Sequence, residues 1–293
     1  MGSEMCIRDR YYSFASTFTQ LADKEIDGYT FETKTTAGSV ANLRLISDGY
    51  IDLAIVQADL LSDAYNATGT FADKKYQKGY KAIASLYTEC CQIVVRKDSG
   101  ITGIDDLINK TVSVGASESG SEKNAEQILK MSGITDELIN KVNMDYTEAA
   151  EKLKAGEIDA FFCTAGTRTE VIGQLSKECD ICLISLDDKC IDKMLSAYSL
   201  CEKYTIPAGT YNGQDSDVTT IGVKAVLIAK QSLSDDVIKN VTKTIYEHAD
   251  DFKYATSLDI SFDINTAADG VDIPFHSGAA AYYTERGINV LTE

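Results

Sequence analysis

The sequence predicts an α/β fold in which two lobes are joined by two crossover strands, with a ligand cleft between the lobes. Segments with helical periodicity alternate with short apolar segments along most of the chain, which is typical of βαβ units. A length of 293 residues can fill two lobes that each have their own core. The β-rich run 217–230 follows no helix and could lie antiparallel beside the run 90–98.

The first lobe is predicted over residues 11–92 and 222–293. It begins with a helix over 11–24, which places Phe14 and Phe18 on one face. The next segments alternate between the two periodicities, as strand 29–36, helix 39–49, strand 51–57, helix 58–69 and strands 82–87 and 90–98. Two further helices complete this lobe, over 234–252 and 279–287.

The second lobe is predicted over residues 93–221. Its segments follow the same alternation, as helix 104–110, strand 111–116, helix 121–133, strand 142–146, helix 147–157, strand 158–166, a further helix and strand 181–186. This serial order implies parallel sheets with helices on both faces. We find no internal repeat and no low-complexity linker in the sequence.

Residues 1–10, MGSEMCIRDR, show neither the apolar core of a signal peptide nor a strand pattern. We interpret them as a non-native segment derived from sequencing-adapter DNA and exclude them from the fold prediction. On this interpretation Cys6 is not native, and the native part begins near Tyr11. The signal segment would be missing from the sequence for the same reason.

Composition excludes several classes of function. The net charge is −17, from 45 acidic and 28 basic residues. A broadly acidic surface repels DNA, RNA and anionic lipid, so we expect no nucleic acid partner. No apolar run reaches the ~18 residues of a membrane span.

The eight cysteines raise the question of metal or disulfide chemistry. The CDIC segment, Cys179 to Cys182, has the spacing of a zinc or redox motif. It runs into the predicted strand 181–186, however, and the chain has no second CxxC motif. We therefore expect buried structural thiols, with no metal and no other cofactor. Pairing within the region 179–201 remains open for an exported protein.

The run Gly115 to Ser121 lies between a predicted strand and a predicted helix. A Walker A motif would need its lysine one residue before Lys123, and a nucleophile elbow would need glycine instead of Ser119. Two interpretations remain open on the residues alone. The helix N-terminus could bind an anion, or Ser119 or Ser121 could simply cap the helix.

Six segments resemble one family in their order along the chain. They are GSVANLRLISDGYIDLAIVQADLLSDAYNATGTF, ASLYTECCQIVVRKDSGI, SVGASESGSEKNAEQIL, IDAFFCTAG, YTIPAGTYNGQDSDVTTIGVKAVLIA and IPFHSGAAAYY. The resemblance extends from Tyr11 to about Gly287. They resemble the TAXI family of extracytoplasmic solute-binding proteins, the receptors of TAXI-type TRAP transporters. The resemblance implies a type II periplasmic-binding-protein-like fold that captures a small organic anion, such as a dicarboxylate, a 2-oxo acid or a glutamate-like amino acid.

The resemblance also implies the ligand contacts. Most of them follow the C-terminal ends of predicted strands, where open α/β sheets bind ligands. The implied contacts are Tyr12, Thr36, Gly38, Ser39, Gln57, Asp59, Tyr87, Ser117, Ser119, Gly120, Ser121, Thr164, Ala165 and Gly166. Hydroxyl and main-chain N–H groups suit a carboxylate, whereas Gln57 and Asp59 suit an amine or a hydroxyl. The two tyrosines would form aromatic walls.

Three departures from the family pattern concern the site. Arg168 follows CTAG in place of an apolar or proline-containing loop, and it could clamp a second carboxylate or start a helix in solvent. Glu118 stands where the family has a small residue. Its carboxylate would weaken the binding of an anion or select a ligand with an amine. The first strand of the family should precede Tyr11, so we expect it to be missing.

The chain is therefore predicted to be a monomeric, non-enzymatic receptor that presents its ligand to a TRAP-type membrane permease. We expect an extracytoplasmic location, in the periplasm or at the cell surface as a lipoprotein. His276 is expected to pack or to cap a helix, and His248 to contact the last carbonyls of its helix. The alternatives are a transferase on the same bilobal fold and a ligand-sensing receptor without a permease.

Overall fold

The computed structural model describes residues 2–7, 9–72, 76, 79–256 and 262–293, with side chains in these ranges from Phe14 to Lys253 and from Phe262 onward. The chain divides into two compact units. Unit 1 comprises Met1–Tyr87 and Lys224–Glu293, and unit 2 comprises Thr88–Val223. Two long strands each continue from one unit into the other, and they are Tyr80–Arg96 and Val218–Lys230.

The strands and helices alternate along most of the chain. In order they are β1 (Gly2–Ile7), α1 (Asp9–Glu25), β2 (Thr30–Thr35), α2 (Ser39–Ser47), β3 (Leu53–Gln57), α3 (Ala58–Asn66), β4 (Tyr80–Arg96), β5 (Thr111–Ser113), α4 (Gly120–Ser132), β6 (Asn140–Val142), α5 (Tyr146–Ala155), β7 (Ala160–Ala165), α6 (Glu170–Glu178), β8 (Ile181–Leu183), α7 (Asp188–Ala197), β9 (Cys201–Ile206), β10 (Val218–Lys230), α8 (Asp235–Glu247), α9 (Ala249–Thr256) and α10 (Ser277–Thr284).

The sheet of unit 1 is built around a parallel trio of strands. β1 pairs in parallel with β2 on one side and with β3 on the other, and β10 pairs antiparallel with β3. The predicted apolar face of α1 is confirmed, because Phe14 and Phe18 are fully buried. The ring of Phe14 stacks on that of Phe252 from α9 with the centroids 4.6 Å apart, so α1 closes the core from one side.

The expectation that residues 1–10 contain no strand is wrong. The backbone of Gly2–Ile7 pairs with Thr30–Thr35 along its whole length. It therefore occupies the sheet position before α1 that we expected to be empty. Pairing between parallel strands uses main-chain groups, so a segment without an alternating side-chain pattern can fill the place between two strands.

Unit 2 contains a mixed sheet with helices on both faces. β5 pairs in parallel with β6 and with β7, whereas β4 pairs antiparallel with β7 and β8, and β9 pairs antiparallel with β10. Two apolar clusters cover the two faces of β7. Phe162 belongs to the cluster that contains Ile128 of α4, and Phe161 to the cluster that contains Leu153 of α5. The predicted α/β class is thus confirmed.

Two predicted strands are in fact one. Residues 82–87 and 90–98 were separated in the prediction by the polar pair Thr88 and Glu89. β4 instead runs unbroken over 17 residues, and Glu89 is buried within it. A polar residue in a strand with neighbours on both sides therefore does not mark its end.

Other boundaries differ for local reasons. The segment 104–110 forms only a 3₁₀ turn over Ile104–Leu107. The strand expected at 142–146 lies earlier, because Asp145 caps α5 through the amide of Glu148 and Tyr146 starts that helix. The helix expected over 234–252 breaks at His248 into α8 and α9. The prediction missed α7 and β9 altogether.

Candidate functional site

The turn before α4 depends on a glycine in a left-handed conformation. Gly115 has φ of +100°, and a Cβ there would lie 2.9 Å from Cβ of Ser121. Its carbonyl oxygen accepts a hydrogen bond from Nδ2 of Asn143 at 3.0 Å. A side chain at this position would be strained by both backbone and contact, so the turn can approach α4 closely only with glycine.

Ser119 is the N-cap of α4. Its Oγ accepts a hydrogen bond from the amide of Glu122 at 3.1 Å. The carboxylate of Glu122 in turn accepts from the amide of Glu118 and from Nδ2 of Asn143, each at 2.9 Å. Glu118 has φ of +62°. The capping interpretation of Ser119 is therefore met in the structure, while its hydroxyl proton can still be donated.

Ser121 connects α4 to two other elements. Its Oγ accepts a hydrogen bond from the amide of Thr164 on β7 at 2.9 Å, and it also makes a short hydrogen bond with the hydroxyl of Tyr146 on α5. The side chain is buried. Much of the bonding capacity of this hydroxyl is thus directed into the protein, which gives Ser121 a structural role in the site.

Thr164 brings an unused hydroxyl to the same place. The residue is 1% exposed, and its Oγ1 has no hydrogen-bond partner among the residues that the structure describes. Leaving a buried hydroxyl unpaired costs about 1–3 kcal/mol. It lies near the C-terminal end of β7, beside the N-terminal turn of α4, whose first amides have no partner within the helix.

The turn after β7 carries the next predicted contacts. Ala165 and Gly166 are buried, whereas Arg168 is exposed and has φ of +65°. The hydroxyl of Thr167 shares a hydrogen bond with that of Tyr204 on β9 at 2.8 Å. Arg168 is thus held in an uncommon backbone conformation while its side chain remains accessible.

In unit 1 the predicted contacts gather at the starts of α2 and α3. Gly38, with φ of +131°, precedes Ser39, whose Oγ accepts a hydrogen bond from the amide of Gln57 at 3.1 Å. Thr36 donates from its hydroxyl to Oδ1 of Asn42 at 2.6 Å. The structure therefore brings Ser39 and Gln57 together, and it attaches Thr36 to the same helix through Asn42.

The remaining predicted contacts are more scattered. Asp59 is buried in the first turn of α3, and Tyr87 is buried on β4. Gly120 is buried at the start of α4, whereas Ser117 is exposed. Tyr12 lies in α1, and its side chain falls outside the described residues.

Sequence reasoning missed three residues that shape the unit 2 site. Tyr146 bonds Ser121, Asn143 bonds both Gly115 and Glu122, and Tyr204 bonds Thr167. They lie between 21 and 37 residues from their partners. No motif spacing relates residues so far apart, so only the fold reveals them.

The two histidines serve structural roles. His276 caps α10 by accepting the amide of Gly278 at Nδ1 at 3.2 Å, so the capping prediction is confirmed. The prediction for His248 is wrong, because its ring contacts carboxylates instead of helix carbonyls. Its nitrogens lie 2.5 Å from Oε1 of Glu25 and 2.8 Å from Oδ2 of Asp251.

The cysteines of CDIC do not converge. Cys179 packs against the cluster around Phe161, and Cys182 packs against the cluster around Phe162. Among the residues that the structure describes, no group of three His, Cys, Asp or Glu side chains could hold a metal ion. Across the same part of the chain, every helix is too short or too polar to span a bilayer.

The fold matches that of periplasmic substrate-binding proteins. The alkanesulfonate-binding protein SsuA from Xanthomonas axonopodis pv. citri, bound to MOPS, aligns with a TM-score of 0.53 at 11% identity, over 87% of this chain and 78% of that chain. The aliphatic sulphonate binding protein SsuA from Escherichia coli gives 0.51 at 11% identity, over 96% and 77%. A putative L-cystine ABC transporter protein from Listeria monocytogenes gives 0.55 at 14% identity, over 88% and 94%.

The sequence itself assigns the family. A family model matches residues 7–287, and the chain belongs to the NMT1-like family. The family description specifies neither a ligand nor a type of transporter.

Proposed function

We propose that the protein is an extracytoplasmic solute receptor that binds a small organic anion and presents it to a membrane permease. The fold supports this function, because it is the fold of periplasmic binding proteins. The structural use of both histidines supports a binding role over catalysis, since neither is available as a general base in the unit 2 site.

The observation that carries the proposal is the buried hydroxyl of Thr164. It lies beside the N-terminus of α4, and it has no protein partner among the described residues. A carboxylate or sulfonate oxygen placed there would accept from this hydroxyl and from the first amides of the helix. An anion at such a terminus gains about 0.3–2 kcal/mol from the helix dipole, and charge-assisted hydrogen bonds add to this.

Arg168 supports a more specific proposal for the class of ligand. Its guanidinium is exposed in the turn after β7, two residues after Gly166, and it suits a second carboxylate bidentately. We therefore propose a dicarboxylate, a 2-oxo acid or a glutamate-like amino acid as the ligand. The ligands named for the similar proteins, sulfonates and L-cystine, also carry acidic groups.

The proposed partner is a permease of the TAXI-type TRAP class, on the basis of the six ordered segments that resemble that family. An ABC permease is the second candidate, because the similar Listeria monocytogenes structure is described as part of an ABC transporter. Uptake assays in vesicles that contain either permease would separate them. Uptake that needs ATP hydrolysis would support the ABC class and contradict the TRAP class.

A thermal-shift screen tests the ligand class directly. The chain has no tryptophan, so a dye or calorimetry should report unfolding. We would test L-glutamate, 2-oxoglutarate, succinate, malate, methanesulfonate and phosphate. A ligand at ~100 times its dissociation constant should stabilise the protein by about 2.7 kcal/mol. If none of these anions raises the melting temperature, the proposal of a small organic anion fails.

Thr164→Val separates binding from folding. Valine keeps the shape and removes a buried hydroxyl that has no partner among the described residues, so the free energy of unfolding should stay equal or rise by up to about 1–3 kcal/mol. Affinity for the anion found in the screen should fall about 10-fold or more. Thr242→Val is the matched control, because that buried hydroxyl bonds the carbonyl of Ile238 in unit 1. Unchanged affinity in Thr164→Val would remove Thr164 from the site.

A further inference from the structure

A closed set of buried hydrogen bonds holds the turn after β7. The hydroxyl of Tyr211 donates to Oε1 of Gln92 at 2.6 Å and accepts the amide of Thr169 at 3.0 Å. Nε2 of Gln92 donates to Oγ1 of Thr169 at 3.2 Å, and that hydroxyl donates to the carbonyl of Gly166 at 2.8 Å. All four polar links therefore have consistent donors and acceptors, and they fix both ends of the turn.

The segment that carries Tyr211 is itself well anchored. Between β9 and β10, the amide of Ala208 donates to Oδ1 of Asp217 at 2.8 Å, which closes the segment at its base. Nδ2 of Asn212 donates to the carbonyl of Ser176 at 2.9 Å. The segment 207–217 thus contacts both ends of α6, the C-terminal end through Asn212 and the N-terminal end through Tyr211.

The turn after β7 contains a residue in a strained backbone conformation. Arg168 lies within it at φ of +65°, a left-handed conformation that is unfavourable for a non-glycine residue. Strained backbone persists only where the surroundings hold it in place. Burial raises the pKa of the Tyr211 hydroxyl, so it stays a neutral donor at every physiological pH.

We infer that Tyr211, together with Gln92 and Thr169, positions the turn that presents Thr164 and Arg168 to the ligand. Tyr211 acts through Thr169 and Gly166 and does not touch the ligand itself. This inference rests on the proposed function, because it assigns Tyr211 the task of setting affinity at the same site. It gives a role to the segment 207–217, which none of the predicted contacts included.

The test compares Tyr211→Phe with matched variants. Phenylalanine keeps the ring in the apolar cluster and removes the hydroxyl. Tyr246→Phe in unit 1 is the control for loss of a tyrosine hydroxyl, since that group bonds only the hydroxyl of Tyr283 in the described contacts. Thr169→Val should resemble Tyr211→Phe, whereas Thr169→Ser keeps the hydroxyl and should behave like the parent protein.

Two measurements are made on the full chain. Calorimetric titration with L-glutamate, 2-oxoglutarate, succinate and methanesulfonate gives the dissociation constants. We expect Tyr211→Phe and Thr169→Val to weaken binding about 5- to 10-fold. Hydrogen exchange of the peptide 164–170 without any anion should be about 10-fold faster in both variants, with Tyr246→Phe and Thr169→Ser unchanged.

The outcomes separate the inference from the function on which it rests. If the parent protein binds one of the four anions and Tyr211→Phe binds it equally well, the inference is overturned and the function stands. If the parent protein binds none of them, the proposed function fails. In that case the exchange measurement decides alone, because an unchanged rate in peptide 164–170 would overturn the positioning role.

Discussion

The first turn of one helix in each unit contains the same short sequence. Gly38-Ser39-x-x-Asn42 begins α2 in unit 1, and Gly120-Ser121-x-x-Asn124 begins α4 in unit 2. In each case the serine is buried, and its Oγ accepts a main-chain amide near the C-terminal end of a later strand. The donor is Gln57 at 3.1 Å in one unit and Thr164 at 2.9 Å in the other.

The surroundings of these two serines differ. In unit 1, Nδ2 of Asn42 donates to the carbonyl of Ile55 at 2.9 Å, so the helix is attached to the adjacent strand β3. In unit 2, Nδ2 of Asn124 donates at 3.3 Å to Gln127 within its own helix. There Ser121 also bonds the hydroxyl of Tyr146 on α5. The same five-residue pattern thus gives both units a buried serine that accepts a hydrogen bond from a strand amide.

The largest expected effect comes from Gly115, in the turn before α4 of unit 2. Gly115→Ala would force a side chain into φ of +100° and to within 2.9 Å of Cβ of Ser121. The strain of about 1–2 kcal/mol adds to an overpacking cost of about 1–3 kcal/mol. We expect the free energy of unfolding in urea to fall by about 2–5 kcal/mol.

Gly133→Ala is the control for this prediction. Gly133 ends α4 with φ of +82°, and an added Cβ would have no atom within 4 Å. Its substitution should therefore cost only the backbone strain of about 1–2 kcal/mol. Equal losses in the two variants would mean that the close approach of Gly115 to α4 contributes nothing.

The two anchoring serines give the next effect. Ser39→Ala and Ser121→Ala each leave a buried main-chain amide without its acceptor, which costs about 1–3 kcal/mol. Ser121→Ala should cost more, because it also removes the hydrogen bond between Ser121 and the hydroxyl of Tyr146. Urea unfolding of both variants measures the difference.

Ser113→Ala is the control, since that buried Oγ has no hydrogen-bond partner in the described part of the chain. An equal loss of stability in Ser113→Ala would contradict the anchoring role of the two serines.

Much of the fold was predictable because periodicity is a local property. The faces of α1 and the order of strands and helices follow from apolar spacing within each segment. β4 was predicted as two strands because Thr88 and Glu89 interrupt its apolar pattern, and burial of Glu89 depends on the whole sheet. β1 was not predicted because its place is fixed by its two neighbours.

The candidate site was predictable only in part, for a related reason. The capping role of Ser119 could be stated from the sequence, because a capping side chain and the amide that donates to it lie three residues apart. Tyr211 bonds Gln92 from 119 residues away, and no local pattern links the two. The repeated Gly-Ser-x-x-Asn is also too short to stand out before the two serines are seen in equivalent places.

The smallest expected effect concerns pH and distinguishes the units, since both histidines lie in unit 1. Hydrogen bonds to Asp251 and Glu25 raise the pKa of His248 above its usual 6.5. Because this pKa is raised in the folded state, protonated His248 stabilises the fold. That contribution is fully present below about pH 6.5 and is lost as the pH rises through the folded-state pKa of His248. The same contact lowers the pKa of Glu25 against the opposing effect of burial, so the contribution of Glu25 is lost as the pH falls through its folded-state pKa.

His248→Gln isolates this contribution. Burial lowers the pKa of His276, which acts in the opposite direction, so the parent protein alone would show a mixed dependence. Because an exposed ion pair contributes at most about 1 kcal/mol, the melting temperature of the variant should lie no more than about 3 °C below that of the parent at pH 6. Calorimetry between pH 6 and pH 9 should show this gap closing as the pH rises. A gap that stays constant would mean that His248 contributes by packing instead of by charge.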